Sequence, residues 1–139
     1  MNINKIYSLV HPDAVIVQGD TTSSFSAALS AFYQKIPIFH IEAGLRTNNL
    51  YSPFPEEFNR VAIDDISTLY FAATKLSAIN LIKENKNQSR IFITGNTVVD
   101  ALKLTLEKTS PSKYVQLFYK KHARIILEEL INILTKEVK

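Results

Sequence analysis

The sequence predicts an α/β domain built on a parallel, Rossmann-like sheet. Three observations predict it. Short apolar runs rich in β-branched residues alternate with segments of helical periodicity, and the connections between them are short. All three glycines, Gly19, Gly44 and Gly95, fall just past the end of an apolar run, at the sheet edge where open α/β folds bind ligands.

The elements follow in order. Asn4 to Val10 reads as the end of a helix, broken by Pro12-Asp13. Ala14-Val15-Ile16-Val17 is a continuous apolar run, the pattern of a strand buried on both faces. Phe25, Ala28, Leu29, Phe32 and Tyr33 recur at helical spacing between Thr22 and Gln34. A second strand, Ile38-Phe39-His40-Ile41, ends at Glu42-Ala43-Gly44. Residues 45–55 lack periodicity and read as a loop, after which Glu56-Glu57 opens a helix carrying Phe58, Val61, Ala62 and Ile66. A strand from Leu69 to Ala72, a helix from Ser77 to Lys83, a strand from Ile91 to Ile93 and a helix from Val98 to Lys108 complete the alternation. Thr109-Ser110-Pro111-Ser112 is a break. Beyond it Leu127, Leu130, Ile131, Leu134 and Val138 form one apolar stripe, an amphipathic helix outside the strand–helix rhythm. The expected division is residues 1–108 and 109–139.

Composition narrows the function classes. With 139 residues, 46% hydrophobic and 21% charged, the chain has the profile of one globular domain rather than a disordered or repetitive one. The absence of cysteine excludes disulfides, cysteine-ligated zinc and thiol nucleophiles. No apolar run approaches the ~20 residues of a membrane span, and no signal-peptide pattern opens the chain, so a cytoplasmic setting is expected. Up to Leu102 there are eight Lys/Arg against nine Asp/Glu, and after it eight against four, which places the whole basic excess in the last residues. That split is not the basic stripe of a nucleic-acid-binding surface.

The polar residues at the strand ends form three groups: Asp20, Thr21 and Thr22; His40, Glu42 and Arg46; and Glu56, Glu57, Asn59 and Arg60. Gly19-Asp20-Thr21-Thr22 lacks the spacing and lysine of a P-loop, no nucleophile elbow is present, and His40 with Glu42 is too thin a set for a metal site. What remains is a rim of carboxylates able to serve as general acids and bases. Each also has a structural reading. Asp20 or Thr21 caps the following helix; Glu56 and Glu57 favour a helix start; His40 is a hydrogen-bonded rim residue; and Arg46 pairs with Glu42 or binds a ligand anion. Glu42 is hardest to place structurally, because an acid ending a buried strand must be desolvated or paired. His40 and Glu42, two apart on a strand, are expected on one face.

At these residues the sequence resembles the non-hydrolysing UDP-N-acetylglucosamine 2-epimerases. The resemblance rests on Gly19-Asp20-Thr21-Thr22, on His40-Ile41-Glu42-Ala43-Gly44-Leu45-Arg46-Thr47, on the run from Tyr51 to Arg60, and on the run from Ile93 to Leu102. Order and spacing agree over roughly residues 5 to 103. It implies part of the N-terminal half of a GT-B-type two-domain fold, with a nucleotide-sugar bound between the domains and no NAD or metal. It also implies inversion at C2 of UDP-N-acetylglucosamine: the C2 proton and UDP leave to give 2-acetamidoglucal, and UDP re-adds with protonation on the other face. Carried over to this chain, the catalytic acids are Asp20, Glu42 and Glu56, with His40, Arg46 and Thr21 as supporting substrate contacts.

The family's opening Gly-Thr-Arg-Pro-Glu-type motif and its later UDP-holding loop have no counterpart here. His122-Ala123-Arg124 matches its His-Arg-Arg-Glu-Asn motif only in part, Ile125 and Ile126 standing in place of Glu-Asn. A solvated place is therefore expected for His122 rather than a catalytic one. The resemblance implies a truncated homologue, inactive alone, that takes a UDP-sugar only when completed by other segments. The competing reading is a non-catalytic remnant or interaction module. In the Rossmann order the run Ala14–Val17 would be left as an open edge, so self-association or pairing with a complementary chain is expected.

Overall fold

The computed structural model describes residues 3–110 together with Ser112, Lys113, Gln116, Leu117 and Lys120. Its described residues fall into two units, one up to Asn96 and one from Thr97 onward. The first unit runs α1 (Ile3–Val10), β1 (Val15–Gln18), α2 (Thr22–Tyr33), β2 (Ile38–Ala43), α3 (Glu56–Ile66), β3 (Leu69–Ala72), α4 (Lys75–Lys83), a 3-10 turn (Gln88–Arg90) and β4 (Ile91–Ile93). The strands pair in parallel in the order β1-β2-β3-β4. The second unit holds α5 (Thr97–Lys108), which buries none of its residues. The apolar stripe from Leu127 to Val138 and His122 lie outside the described residues.

The core sits on one face of the sheet. Val15, Val17 and Ile38 pack with Ala28 and Ala31 of α2 and Ile63 of α3, and Tyr7 of α1 closes the group. Ala43, Tyr70 and Ala72 pack with Ala78 and Leu81 of α4. Burying a side chain such as Ile38, Ile63 or Leu81 is worth about 1.5–3 kcal/mol. Alanine at the contacts of α2 lets that helix approach the strands closely.

The expectation of strands buried on both faces is not met among the described residues. β1 alternates buried and exposed, leaving Ile16 63% exposed, and on the same sheet Phe92 is 47% exposed. Phe39 instead meets Phe71 edge-on and Phe71 stacks on Phe92 across neighbouring strands, with centroids 6.5 and 5.9 Å apart. Continuous apolar sequence marks both faces as suited to burial, but the three crossover helices cover only one.

Helix starts are fixed locally. Thr21 Oγ1 accepts the Ser24 N–H at 3.2 Å and caps α2, while Thr74 Oγ1 does the same for Ser77 at 3.1 Å at α4. α4 then packs directly on the end of β2. A Cβ at Gly44, whose φ is +82°, would lie 2.2 Å from the Ser77 carbonyl oxygen, so only glycine fits there.

Candidate active site

The carboxyl ends of β1 and β2 and the first turns of α3 meet at one rim. β2 does not run straight into it. Its register with β3 slips between Ile41 and Ala43, and Glu42 at the slip has φ of +70°. The bulge breaks the alternation that would have put His40 and Glu42 on one face: His40 and Ala43 are buried, and Glu42 is only half-buried. A left-handed non-glycine residue at a bulge costs of order 1 kcal/mol or more and is found where a side chain is re-aimed. Here the Glu42 carboxylate is turned against the β1 terminus, its Oε2 lying 3.4 Å from where a Cβ on Gly19 would stand. Glu42 thus lies against Gly19, which precedes Asp20 and whose own φ of +69° favours glycine.

Asp20 is held from α3. Arg60 Nη2 donates to Asp20 Oδ2, and Asn59 Nδ2 donates to the Asp20 carbonyl at 2.8 Å. Arg60 Nη1 also stands 3.4 Å from Glu57 Oε2, one helical turn back. Glu56 opens α3 four residues ahead of Arg60, on the same side of the helix by helical spacing. Among the described residues the carboxylates of Glu42 and Glu56 take no hydrogen bond or ion pair, and both residues are half-buried.

His40 and Arg46 are engaged within the fold, and Thr21 caps α2 from an exposed position. His40 is fully buried, its Nδ1 2.6 Å from Asp64 Oδ1 and its Nε2–H donating to the Gly19 carbonyl at 2.9 Å. The second assignment follows because a carbonyl can only accept. Arg46 does not meet Glu42. Its Nε and Nη2 donate to the two oxygens of Glu84 at 2.7 and 2.6 Å, its Nη2 lies 2.8 Å from Asp64 Oδ2, and its Nη1 donates to the Leu45 carbonyl. Burial opposes the guanidinium charge, yet the hydrogen bonds and charges of Glu84 and Asp64 outweigh it and hold the group above its ordinary range. Thr21 is the α2 cap. His40 and Arg46 shape the rim from within, while Thr21 is exposed on it.

The hub of this scaffold is Asp64, which the sequence alone did not single out. Fully buried on α3, it accepts from Arg46 and from the Gly44 N–H at 3.0 Å while facing His40. Glu57 does the same for the loop, its Oε1 accepting the N–H groups of Thr47 and Asn48 at 2.8 and 2.9 Å. Glu57, Arg60 and Asp64 lie at i, i+3 and i+7, a charged stripe along one face of α3. Extending that spacing from Glu57 and Arg60 is the signal that could have found Asp64.

The family model for UDP-N-acetylglucosamine 2-epimerases matches residues 1–128. The chain belongs to the UDP-N-acetylglucosamine 2-epimerase family. It is 57% identical over 97 residues to the epimerase of Neisseria meningitidis, covering 70% of this chain and 26% of that protein. With the Bacillus subtilis epimerase it shares 49% over 106 residues, covering 76% of this chain and 28% of that one. The crystal structure of the Neisseria meningitidis UDP-GlcNAc 2-epimerase bound to UDP-GlcNAc superposes with a TM-score of 0.76 at 46% identity, over 86% of this chain and 32% of that chain. The chain therefore spans less than a third of the length of the family members it matches. Its four-stranded sheet is part of their GT-B-type fold.

Proposed function

We propose that this segment supplies the acid-bearing wall of a UDP-N-acetylglucosamine 2-epimerase site, with Asp20, Glu42 and Glu56 facing the sugar. The observation that carries the reading is Glu42: a half-buried carboxylate on a left-handed bulge, without a partner among the described residues and seated against Gly19 at the β1 terminus. Buried acids with structural work, Asp64 and Glu57, are paired. A carboxylate left unpaired at a costly backbone position is better explained by a ligand than by the fold.

The chemistry suits the arrangement. One carboxylate removes the C2 proton as the C1–O bond to UDP breaks, giving 2-acetamidoglucal; a second group on the other face returns a proton to C2 as UDP re-adds. Two faces require two groups, and three acids gather at this rim. The negative charge leaving with UDP requires cationic and N–H donors. Arg46 and His40, spent on the scaffold, are not available for that, so the donors belong to the remaining length of the family fold. The 139-residue chain alone is accordingly expected to show no C2 exchange.

The test joins this segment to the rest of the Bacillus subtilis relative and follows solvent deuterium entering C2 of UDP-N-acetylglucosamine. Exchange in the joined enzyme, falling by about 10²–10⁴ in Glu42→Gln, supports the reading. A folded joined enzyme without exchange, or one indifferent to Glu42→Gln, sinks it.

The exposed Ile16 and Phe92 on the uncovered sheet face favour a second reading, an interaction module without chemistry. Under it Glu42→Gln and Glu56→Gln leave every measurable property unchanged.

A further inference from the structure

We propose that Arg60 is a positioning residue, a single cation shared between Asp20 and Glu57, that couples the charge on Asp20 to the fold of the loop at residues 47–48. The proposal rests on Asp20 being a site acid. Arg60 reaches both carboxylates from separate nitrogens, Nη2 to Asp20 and Nη1 to Glu57. The two ends are unequal. Asp20 receives a hydrogen bond, whereas Glu57 Oε2 is buried, 3.4 Å away and without a hydrogen-bond partner, and Arg60 Nε is buried and unpartnered too. Glu57 is 1% exposed, so water does not relieve it. Its other oxygen holds the Thr47 and Asn48 N–H groups, and Asn48 keeps a left-handed φ of +62°.

The geometry is that of a competition. While Asp20 is charged it draws the guanidinium, and the Glu57 contact stays long. When Asp20 is neutral, as after it takes up a proton in the reaction, Arg60 is released toward Glu57 and fills the orphaned oxygen. The carboxylate that holds Thr47 and Asn48 is then itself better held. A proton at the site is in this way read by the loop that leads into Glu56. The fork matters: Nη2 and Nη1 reach the two acids from separate positions, and the single nitrogen of lysine cannot stand at both.

Amide hydrogen exchange at Thr47 and Asn48 in the 139-residue chain tests the coupling without substrate. Asp20→Asn is expected to slow both amides about threefold, and Arg60→Met to speed them about tenfold by leaving Glu57 without a counter-charge. In the Arg60→Met background Asp20→Asn should change nothing further. Arg60→Lys, which keeps the charge, should also abolish the response to Asp20→Asn, a result that simple loss of packing does not give. Should Arg60→Met fail to fold, the Arg60→Lys pair decides. Unchanged amides in Asp20→Asn, or an equal response with and without Arg60, overturns the proposal. Failure of the epimerase assay would remove Asp20's role and leave this measurement standing, so the two failures are distinguishable.

Discussion

Asp64 and Glu42 are both acids near the end of β2, yet removal of their charge should have opposite consequences. Asp64 is fully buried and faces His40, Arg46 and the Gly44 N–H, so Asp64→Asn leaves the Arg46 guanidinium short of a buried counter-charge and the His40 ring and Gly44 N–H short of an acceptor. It should destabilise the fold by about 3–5 kcal/mol in chemical denaturation. Glu42 has no partner to lose among the described residues, and Glu42→Gln should stay within about 0.5 kcal/mol of the parent. Gly44→Ala, which drives a Cβ into the Ser77 carbonyl, should prevent folding. The candidate acids were legible because each ends a strand or opens a helix. The pairing of Arg46 with Glu84 and of His40 with Asp64 was not, since 38 and 24 residues separate the partners and no local pattern joins them.

Elements decide the next set of properties. Thr21→Ala removes the α2 cap and should cost about 1 kcal/mol, without the loss of substrate affinity that a contact residue would show. The Tyr70 phenol, buried and donating to the Ser67 carbonyl, is pushed above its ordinary value of 10.0 by burial first, with Asp64 and Asp65 adding and Arg90 opposing. Tyr7 shifts the same way through burial. The folded state therefore holds these protons more tightly than the unfolded chain. Their contribution is complete below about pH 10 and is lost as pH rises through the folded values. Urea midpoints should fall above about pH 10, and fall less in Tyr70→Phe. The strands and helices were readable from periodicity because each follows a local rule. The bulge at Glu42 was not, because it depends on register against β3. That one irregularity separates Glu42 from His40 and makes it the leading candidate.

At the scale of the molecule, the described residues leave β1 paired on one side only, with Ile16 and Phe92 exposed on the uncovered face. An open strand edge beside an apolar face favours association. The chain by itself should sediment as associated species; a monodisperse monomer with a single cooperative melt would contradict this. Arg60 is engaged with Asp20 and Glu57, and Arg46 with Glu84 and Asp64, so under the proposed function the leaving nucleotide is met by residues from the rest of the family fold.

The most direct measurement is deuterium incorporation at C2 of UDP-N-acetylglucosamine in heavy water. It compares the 139-residue chain, the enzyme joined from this segment and a relative's remainder, and that enzyme carrying Glu42→Gln. Exchange in the joined enzyme alone, lost on substitution of Glu42, is the predicted result. Exchange that survives Glu42→Gln, or that never appears in a folded joined enzyme, would contradict the assignment of this rim as the acid wall of the site.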